Sequence, residues 1–373
     1  MIRDDAEEIE LSRAIGAVLD PEIRLSLAEL RMLRWVKRRR SRLDVQVTIP
    51  VPEHPAQQEL EARIRKAARD SGFSGEVNVR TDVMDSSERE VLRNRLKPRG
   101  TNEHGASSMP FTTKMARTRI IGVSSGKGGV GKSSVTVNLA LGLAGLGKTV
   151  SVLDADVYGF SVPKMLGIGH DPMVIDDVMV PPVAYGIACL SMGLFVEDAQ
   201  PLIWRGPMLH KALQQFLTDA FWGEPDFLLI DMPPGTGDVA LTMAEQVPGT
   251  EILVVTTPQA AAQRVAQRSA IAARKMKLTV RGVIENMSWF TGDDATRYEI
   301  FGSGGGEELA RSLGVDLLAQ IPLVTAIRSG GDSGAPVMVS DPESEASRTF
   351  TQLAGKIAAM GPARVYRKEL TIR

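Results

Sequence analysis

Residues 120–141 constrain this chain more than any other stretch. Four residues of strand character, Ile120-Ile121-Gly122-Val123, lead into Gly126-Lys127-Gly128-Gly129-Val130-Gly131-Lys132-Ser133. Val135-Thr136-Val137-Asn138-Leu139-Ala140-Leu141 follows with helical spacing, so the order is strand, glycine-rich loop, helix. Glycines let successive backbone N–H groups turn inward into an anion nest, and a helix N-terminus adds partial positive charge. The loop fits G-x-x-x-x-G-K-[ST], a phosphate-binding pattern. Lys132 would reach the β- and γ-phosphates of a nucleotide, and the Ser133 hydroxyl would ligate Mg²⁺. The binding set expected here is Gly126, Lys127, Gly128, Gly129, Val130, Gly131, Lys132, Ser133 and Ser134. Lys127 is a second lysine, near the start of the loop. A cation there is expected to point across a dimer interface at the partner's nucleotide, as an arginine finger does.

The chain has 373 residues, enough for two domains. Hydrophobic residues make up 43% and charged ones 24%, so a substantial core is possible. A formal net charge of −1 gives no global field to recruit nucleic acid or an anionic membrane, so neither is expected as a partner. No apolar run has transmembrane length, and the first residues are acidic rather than signal-like, which predicts a soluble cytoplasmic protein. Cys189 is the single cysteine, which excludes an intrachain disulfide and an all-cysteine metal site within one chain.

Residues 6–20 have helical spacing, with Asp20-Pro21-Glu22 as the expected stop. Residues 32–36 and 43–49 read as strands, with the basic run 37–40 at a solvated hairpin tip. An amphipathic helix over 55–68 and a strand over 76–83 complete a small α+β domain, residues 1–85. Residues 86–116 are expected to be a linker, with a charged segment to 96 that could form one more helix and a polar stretch from 97 to 109. From 118, short apolar strands alternate with longer helical segments: 118–123, 150–153, 187–190, 227–230, 252–255, 280–284 and 317–321. That alternation predicts an α/β domain over 117–373, a doubly wound, mostly parallel sheet. A final helix over 344–360 carries Phe350, Leu353 and Ile357 on one face, expected to be core.

Carboxylates at the ends of parallel strands sit where open α/β sheets bind ligands. Val152-Leu153-Asp154-Ala155-Asp156 ends one strand, where Asp154 would hold a Mg²⁺-bound water and Asp156 would orient or deprotonate the attacking water. Leu228-Leu229-Ile230-Asp231 ends another, and Asp231 is followed by Met232-Pro233-Pro234-Gly235-Thr236-Gly237-Asp238, a turn suited to sensing a γ-phosphate. Lys127, Lys132 and Asp156 are thus the expected catalytic groups, with Ser133, Asp154 and Asp231 around the metal.

Together these three motifs resemble the deviant Walker A ATPases, the class of MinD, ParA and the nitrogenase iron protein. Within that class, residues 154–161 with Lys164-Met165-Leu166-Gly167, Trp204-Arg205-Gly206-Pro207-Met208, Glu285-Asn286-Met287-Ser288 and 300–306 are similar to the Mrp/ApbC group of iron–sulfur cluster carriers. Asp20-Pro21-Glu22-Ile23 resembles the small iron–sulfur assembly-type domain that often precedes them. The resemblance implies an ATP- and Mg²⁺-dependent homodimer, with nucleotide at the subunit interface and Lys127 acting in trans. It also implies adenine contact by Asn286, a Cys-x-x-Cys pair after Trp289-Phe290 bridging one cluster between subunits, and apoprotein or assembly-factor clients.

This chain departs from that pattern. Residues 289–301 hold no cysteine; by ungapped placement Gly292 and Ala295 stand where the thiolates would be. The N-terminal Cys-Pro is replaced by Glu53-His54-Pro55. His54, Asp293 and Asp294 are the remaining side chains able to bind iron, although carboxylates suit harder cations. The expected function is an ATP-hydrolysing iron–sulfur cluster carrier without the interface thiols. The alternatives are a cluster-free ATP-dependent scaffold and a ParA/MinD-like positioning ATPase.

Overall fold

The computed structural model describes residues 2–97, 118–157, 159–195, 206–235 and 238–361. The polar stretch from 98, Trp204-Arg205 and Thr236-Gly237 lie outside the described residues. The chain gathers into two units. One comprises Met1–Arg99, His170–Val183 and Asp219–Gly223, and the other comprises Gly100–Gly169, Ala184–Thr218 and Glu224–Arg373.

The small unit contains α1 (Ile2–Gly16), β1 (Leu33–Arg39), β2 (Arg42–Ile49), α2 (Gln57–Asp70), β3 (Glu76–Val83) and α3 (Ser86–Leu96). β1 is antiparallel to β2, and β3 is parallel to β2 because α2 provides the crossover. Leu43, Val45, Val47 and Ile49 alternate along β2 and share one core with Ile15, Leu60 and Ile64. α1 stops at Gly16, before the expected Asp20-Pro21. Glycine is a poor helix former, and the Asp20 side chain offers the following backbone a turn instead, accepting from Glu22 N and Ile23 N at 3.0 and 2.8 Å. The basic run also shifts. Lys37, Arg38 and Arg39 lie inside β1, paired with Asp44, Leu43 and Arg42, so the turn is Arg40-Ser41.

Two further features of this unit depart from an unbroken 1–85 domain. Residues 86–96 form α3, capped by Asp85 with Glu88 in a capping box and buried through Leu92 and Leu96. An antiparallel hairpin, Met173–Ile175 with Val178–Val180, contributes Met173, Ile175, Val178 and Val180 to the same core. Asp176 and Asp177 at its turn lie 3.8 Å from Arg89 and 2.8 Å from Lys97.

Among the described residues the large sheet has eight strands, a two-residue strand at one edge and seven parallel ones: β4 (Arg119–Ser125), β5 (Val150–Asp154), β6 (Ile187–Ser191), β7 (Phe227–Asp231), β8 (Glu251–Thr256), β9 (Thr279–Glu285) and β10 (Asp316–Gln320). All seven match the expected strands. Their spatial order is β10-β9-β8-β4-β7-β5-β6. β5, β7 and β8 are buried at every position, as strands covered on both faces are. α4 (Lys132–Gly145), which leaves the glycine loop, is apolar all round and buried from Val135 to Leu143. The last helix spans Glu345–Ala359, is capped by Ser344, and buries Phe350, Leu353 and Ile357 as expected.

Register positions the chemistry. Asp231 pairs with Asp154 across β7 and β5, and with Val123 across β7 and β4. Two carboxylates and the approach to the loop therefore share one line across the sheet.

Candidate functional site

At the carboxyl ends of β4, β5 and β7 lies a cavity of about 600 Å³, walled by the loop from Lys127 to Ser134, by Asp156 and Ser161, and by Pro233 and Pro234. Gly129 and Gly131 take φ of 79° and 78°, the left-handed region that side chains resist. These conformations shape the loop into the concave surface the sequence implies.

Lys132 lies beneath the loop with its Nζ 2.6 Å from Asp231 Oδ2 and 3.6 Å from Asp156 Oδ2. Ser133 donates its hydroxyl to Asp231 Oδ2 at 2.6 Å. Thr136, one helical turn beyond Lys132, donates to Asp231 Oδ1 at 2.7 Å. Asp231 is fully buried, and both of its oxygens are satisfied. The spacing from Lys132 to Thr136 was available in the sequence, because i and i+4 share a helix face.

Asp154 is not among the residues that line the cavity. Its Oδ1 accepts from Asp156 N at 3.1 Å, and its Oδ2 accepts from Ser161 N, Val162 N and the Ser191 hydroxyl at 3.0, 3.2 and 3.2 Å. Burial, and then the Asp231 carboxylate beside it, push Asp154 up to about 7 against those donors. In this arrangement Asp154 organises the segment that carries Asp156 and Ser161 into the cavity. Asn286 stands behind the loop and donates to Val130 O at 2.9 Å; it does not line the cavity. Lys127 lines it, with its Nζ 3.3 Å from Gln259 Oε1. Sequence reading did not single out Thr136, Ser161, Ser191 or Gln259.

The donor set suits Mg²⁺. Ser133 and Asp231 present hard oxygen atoms at the loop, and Mg²⁺ takes one or two carboxylates together with substrate phosphates. A cluster cargo is not accommodated in the same way. Cys189 is buried in the core, where burial, followed by Asp154 and Asp231, raises its thiol well above the usual range. Phe290–Thr291 and Arg297–Tyr298 form a two-stranded hairpin where the thiolates were expected. Asp294 closes its turn, accepting from Thr296 N at 3.0 Å and from the Thr296 hydroxyl at 2.8 Å. Among the described residues no three His, Cys, Asp or Glu side chains gather as a metal site, and His54 belongs to the small unit while Asp293 and Asp294 belong to the large one.

His54 instead belongs to a buried cluster in the small unit. Its Nε2 lies 3.4 Å from Asp20 Oδ2 with both side chains fully buried, yet neither atom has a hydrogen-bond partner. His54 Nδ1 accepts from Ala56 N, which puts the proton of the neutral ring on Nε2. Glu22 accepts from Val183 N at 3.1 Å, and its other oxygen lies 3.5 Å from His170 Nε2. Burial is the main cause that raises Glu22 to about 7; Asp20 adds to the shift, and His170 and His54 oppose it.

A glycine-rich nest opening a helix on a parallel sheet, with strand-end carboxylates facing it, defines a P-loop NTPase of the ParA/MinD kind. The profile of the NUBPL iron-transfer P-loop NTPase family matches residues 116–358, and this chain belongs to that family. A second profile, for an iron-sulfur cluster assembly protein, matches residues 8–79. The iron-sulfur cluster carrier protein of Mycobacterium bovis is 41% identical over 359 residues, covering 94% of this chain and 93% of its own length. A nucleotide-binding protein of Archaeoglobus fulgidus, solved in complex with ADP, is 33% identical with a TM-score of 0.54, over 63% of this chain and 93% of that one. The cell division ATPase MinD of Pyrococcus furiosus is 26% identical with a TM-score of 0.51, over 65% and 99%. Among the described residues no helix is long and apolar enough to cross a membrane.

Proposed function

We propose that this chain is a Mg²⁺-dependent ATPase that serves as a cytoplasmic iron–sulfur cluster carrier or assembly factor for apoprotein clients, working as a homodimer. The observation that carries the ATPase half is the convergence of Lys132, Ser133 and Asp231 within 2.6 Å contacts at the mouth of a glycine nest. Backbone N–H groups of residues 126–134 bind the phosphates, and Lys132 turns from Asp231 to the β- and γ-oxygens. Ser133 and Asp231 hold Mg²⁺, which supplies charge neutralisation at the transferring phosphoryl group. Asp156, at the cavity wall, orients the attacking water. Lys127 completes the partner's site in trans, and Asn286 contacts the base. We also assign the small unit, with α3 and the 173–180 hairpin, to an assembly-type domain and the large unit to the ATPase.

Lys127→Ala is expected to leave nucleotide affinity within about twofold and to lower turnover by tenfold or more, on the scale of a transition-state cation. Wild-type turnover in that variant sinks the trans assignment.

The carrier half rests on the family and on the resemblance of the small unit to assembly proteins. Anaerobic reconstitution with ferrous iron and sulfide, followed by transfer to an apo-acceptor, tests it. Absence of both charge-transfer absorbance and acid-labile sulfide excludes carriage by this chain alone. One observation favours a second reading, an ATP-gated scaffold for other assembly proteins: a dimer holds two cysteines, both of them the buried Cys189. Partner capture that is identical with and without ATP counts against the scaffold.

A further inference from the structure

We propose that Ser269 is a positioning residue for ATP hydrolysis, fixing the proline turn of the cavity against the strand that launches the phosphate loop. Ser269 lies on α5 (Ala260–Lys275) and is buried. Its hydroxyl donates to Gly235 O at 2.8 Å. It also lies 3.2 Å from the hydroxyl of Ser124, at the end of β4. A hydroxyl has one proton, so with that proton on Gly235 the Ser124 hydroxyl must be the donor in the second contact. The chain of bonds therefore runs in one direction, from Ser124 through Ser269 to the carbonyl of Gly235.

Gly235 is held on its other side too, its N–H donating to Ser125 O at 2.8 Å. Its φ of 97° belongs to glycine's part of conformational space, so the turn depends on this residue to reverse direction. Pro233 and Pro234, just before it, line the phosphate cavity. Both backbone polar groups of Gly235 are thus tied to the strand and helix framing the loop, and the two prolines inherit that placement.

The same helix approaches the loop directly. A Cβ on Gly126 would stand 2.2 Å from Ala266 N, closer than atoms pack, so loop and helix meet backbone to backbone. Gln259, at the N-cap of α5, holds Lys127. One face of one helix thereby sets the start of the loop, its first lysine and the turn opposite. A neighbour able to locate both walls of a reacting site acts on turnover through geometry, since small misplacements cost rate.

The proposal rests on the ATPase reading, and the experiment separates the two. ATP hydrolysis and equilibrium ATP binding are measured on the full chain for the wild type and for Ser269→Ala, Ser269→Thr, Ser124→Ala and Lys132→Ala. Ser269→Ala is expected to lower kcat by about three- to tenfold, the span of one neutral hydrogen bond, with KM changed less than twofold. Ser269→Thr keeps the hydroxyl and should recover most of the loss. Ser124→Ala removes the strand end of the same chain of bonds but leaves the bond to Gly235, so it should lower kcat in the same direction and by less than Ser269→Ala; a larger loss than in Ser269→Ala counts against the role of Ser269. Unchanged kcat in Ser269→Ala, a parallel loss of ATP affinity, or a Thr variant as impaired as Ala overturns the positioning role. If Lys132→Ala also hydrolyses ATP at the wild-type rate, the ATPase reading itself fails.

Discussion

Two of the buried charge clusters among the described residues are solved differently. Around Asp231 the carboxylate oxygens meet an ammonium and two hydroxyls, all within 2.7 Å. Around Asp20 and Glu22 the contacts are looser: two imidazoles lie at 3.4 and 3.5 Å, and Asp20 Oδ2 and His54 Nε2 have no hydrogen-bond partner. Buried carboxylates are stable as anions when donors and a cation surround them, and they drift toward the neutral acid when these are missing. The first cluster sets its donors around one carboxylate beside the cavity that would take a polyanionic ligand. The second holds a carboxyl, Glu22, that burial raises to about 7.

Breaking the first cluster should have the largest effect. Lys132→Ala removes both the phosphate ligand and the counter-ion, so hydrolysis should fall by at least about a hundredfold, the scale of losing one preorganised charge stabiliser. Leaving a buried carboxylate unpaired should also cost roughly 3–5 kcal/mol in unfolding free energy. Denaturant melts alongside turnover assays check both, and a variant that melts like wild type removes the contrast.

The second cluster predicts a pH slope. Glu22 rises from its ordinary 4.5 to about 7 in the fold, so it stays neutral where the unfolded chain has already ionised. Stability from this group is full below pH 4.5, and it is lost as pH rises toward and through 7, by about 3 kcal/mol for a shift of this size. Glu22→Gln should flatten that part of the curve and should be the more stable protein at pH 8. Thermal melts between pH 5 and 8 decide it; identical slopes for the two proteins refute the assignment.

The smallest effect tests how complete the first cluster is. Thr136→Val conserves shape but strips Asp231 Oδ1 of its hydroxyl donor, which should cost about 1–2 kcal/mol of stability. A loss below about 0.5 kcal/mol would mean that the threonine is redundant, in a cluster less tightly satisfied than its distances imply.

The seven sheet strands and the strand-end carboxylates could be read in the sequence because a parallel strand buried on both faces is an uninterrupted apolar run, and its last residue stands out when charged. The small unit was less legible. Its core takes Met173, Ile175, Val178 and Val180 from a distant hairpin, and no local periodicity announces a partner that far along the chain. The roles of Ser269 and Gln259 were hidden for a related reason. A lone hydroxyl or amide on a helix gains meaning only from what stands opposite. Asp154 shows a subtler limit: its strand-end position was foreseen, but its engagement by four donors comes from how residues 156–162 and Ser191 fold back upon it.

The carboxylate-closed hairpin has a consequence for anyone wishing to give this protein back a thiol pair. A Cβ at Gly292 would stand 2.9 Å from Asp294 Oδ1 and 3.0 Å from Tyr298 Cε2, and Ala295 already occupies a left-handed conformation at φ 62°. Any side chain at 292 competes for the space that the turn's own latch fills. Grafting cysteines at 292 and 295 therefore begins with releasing Asp294.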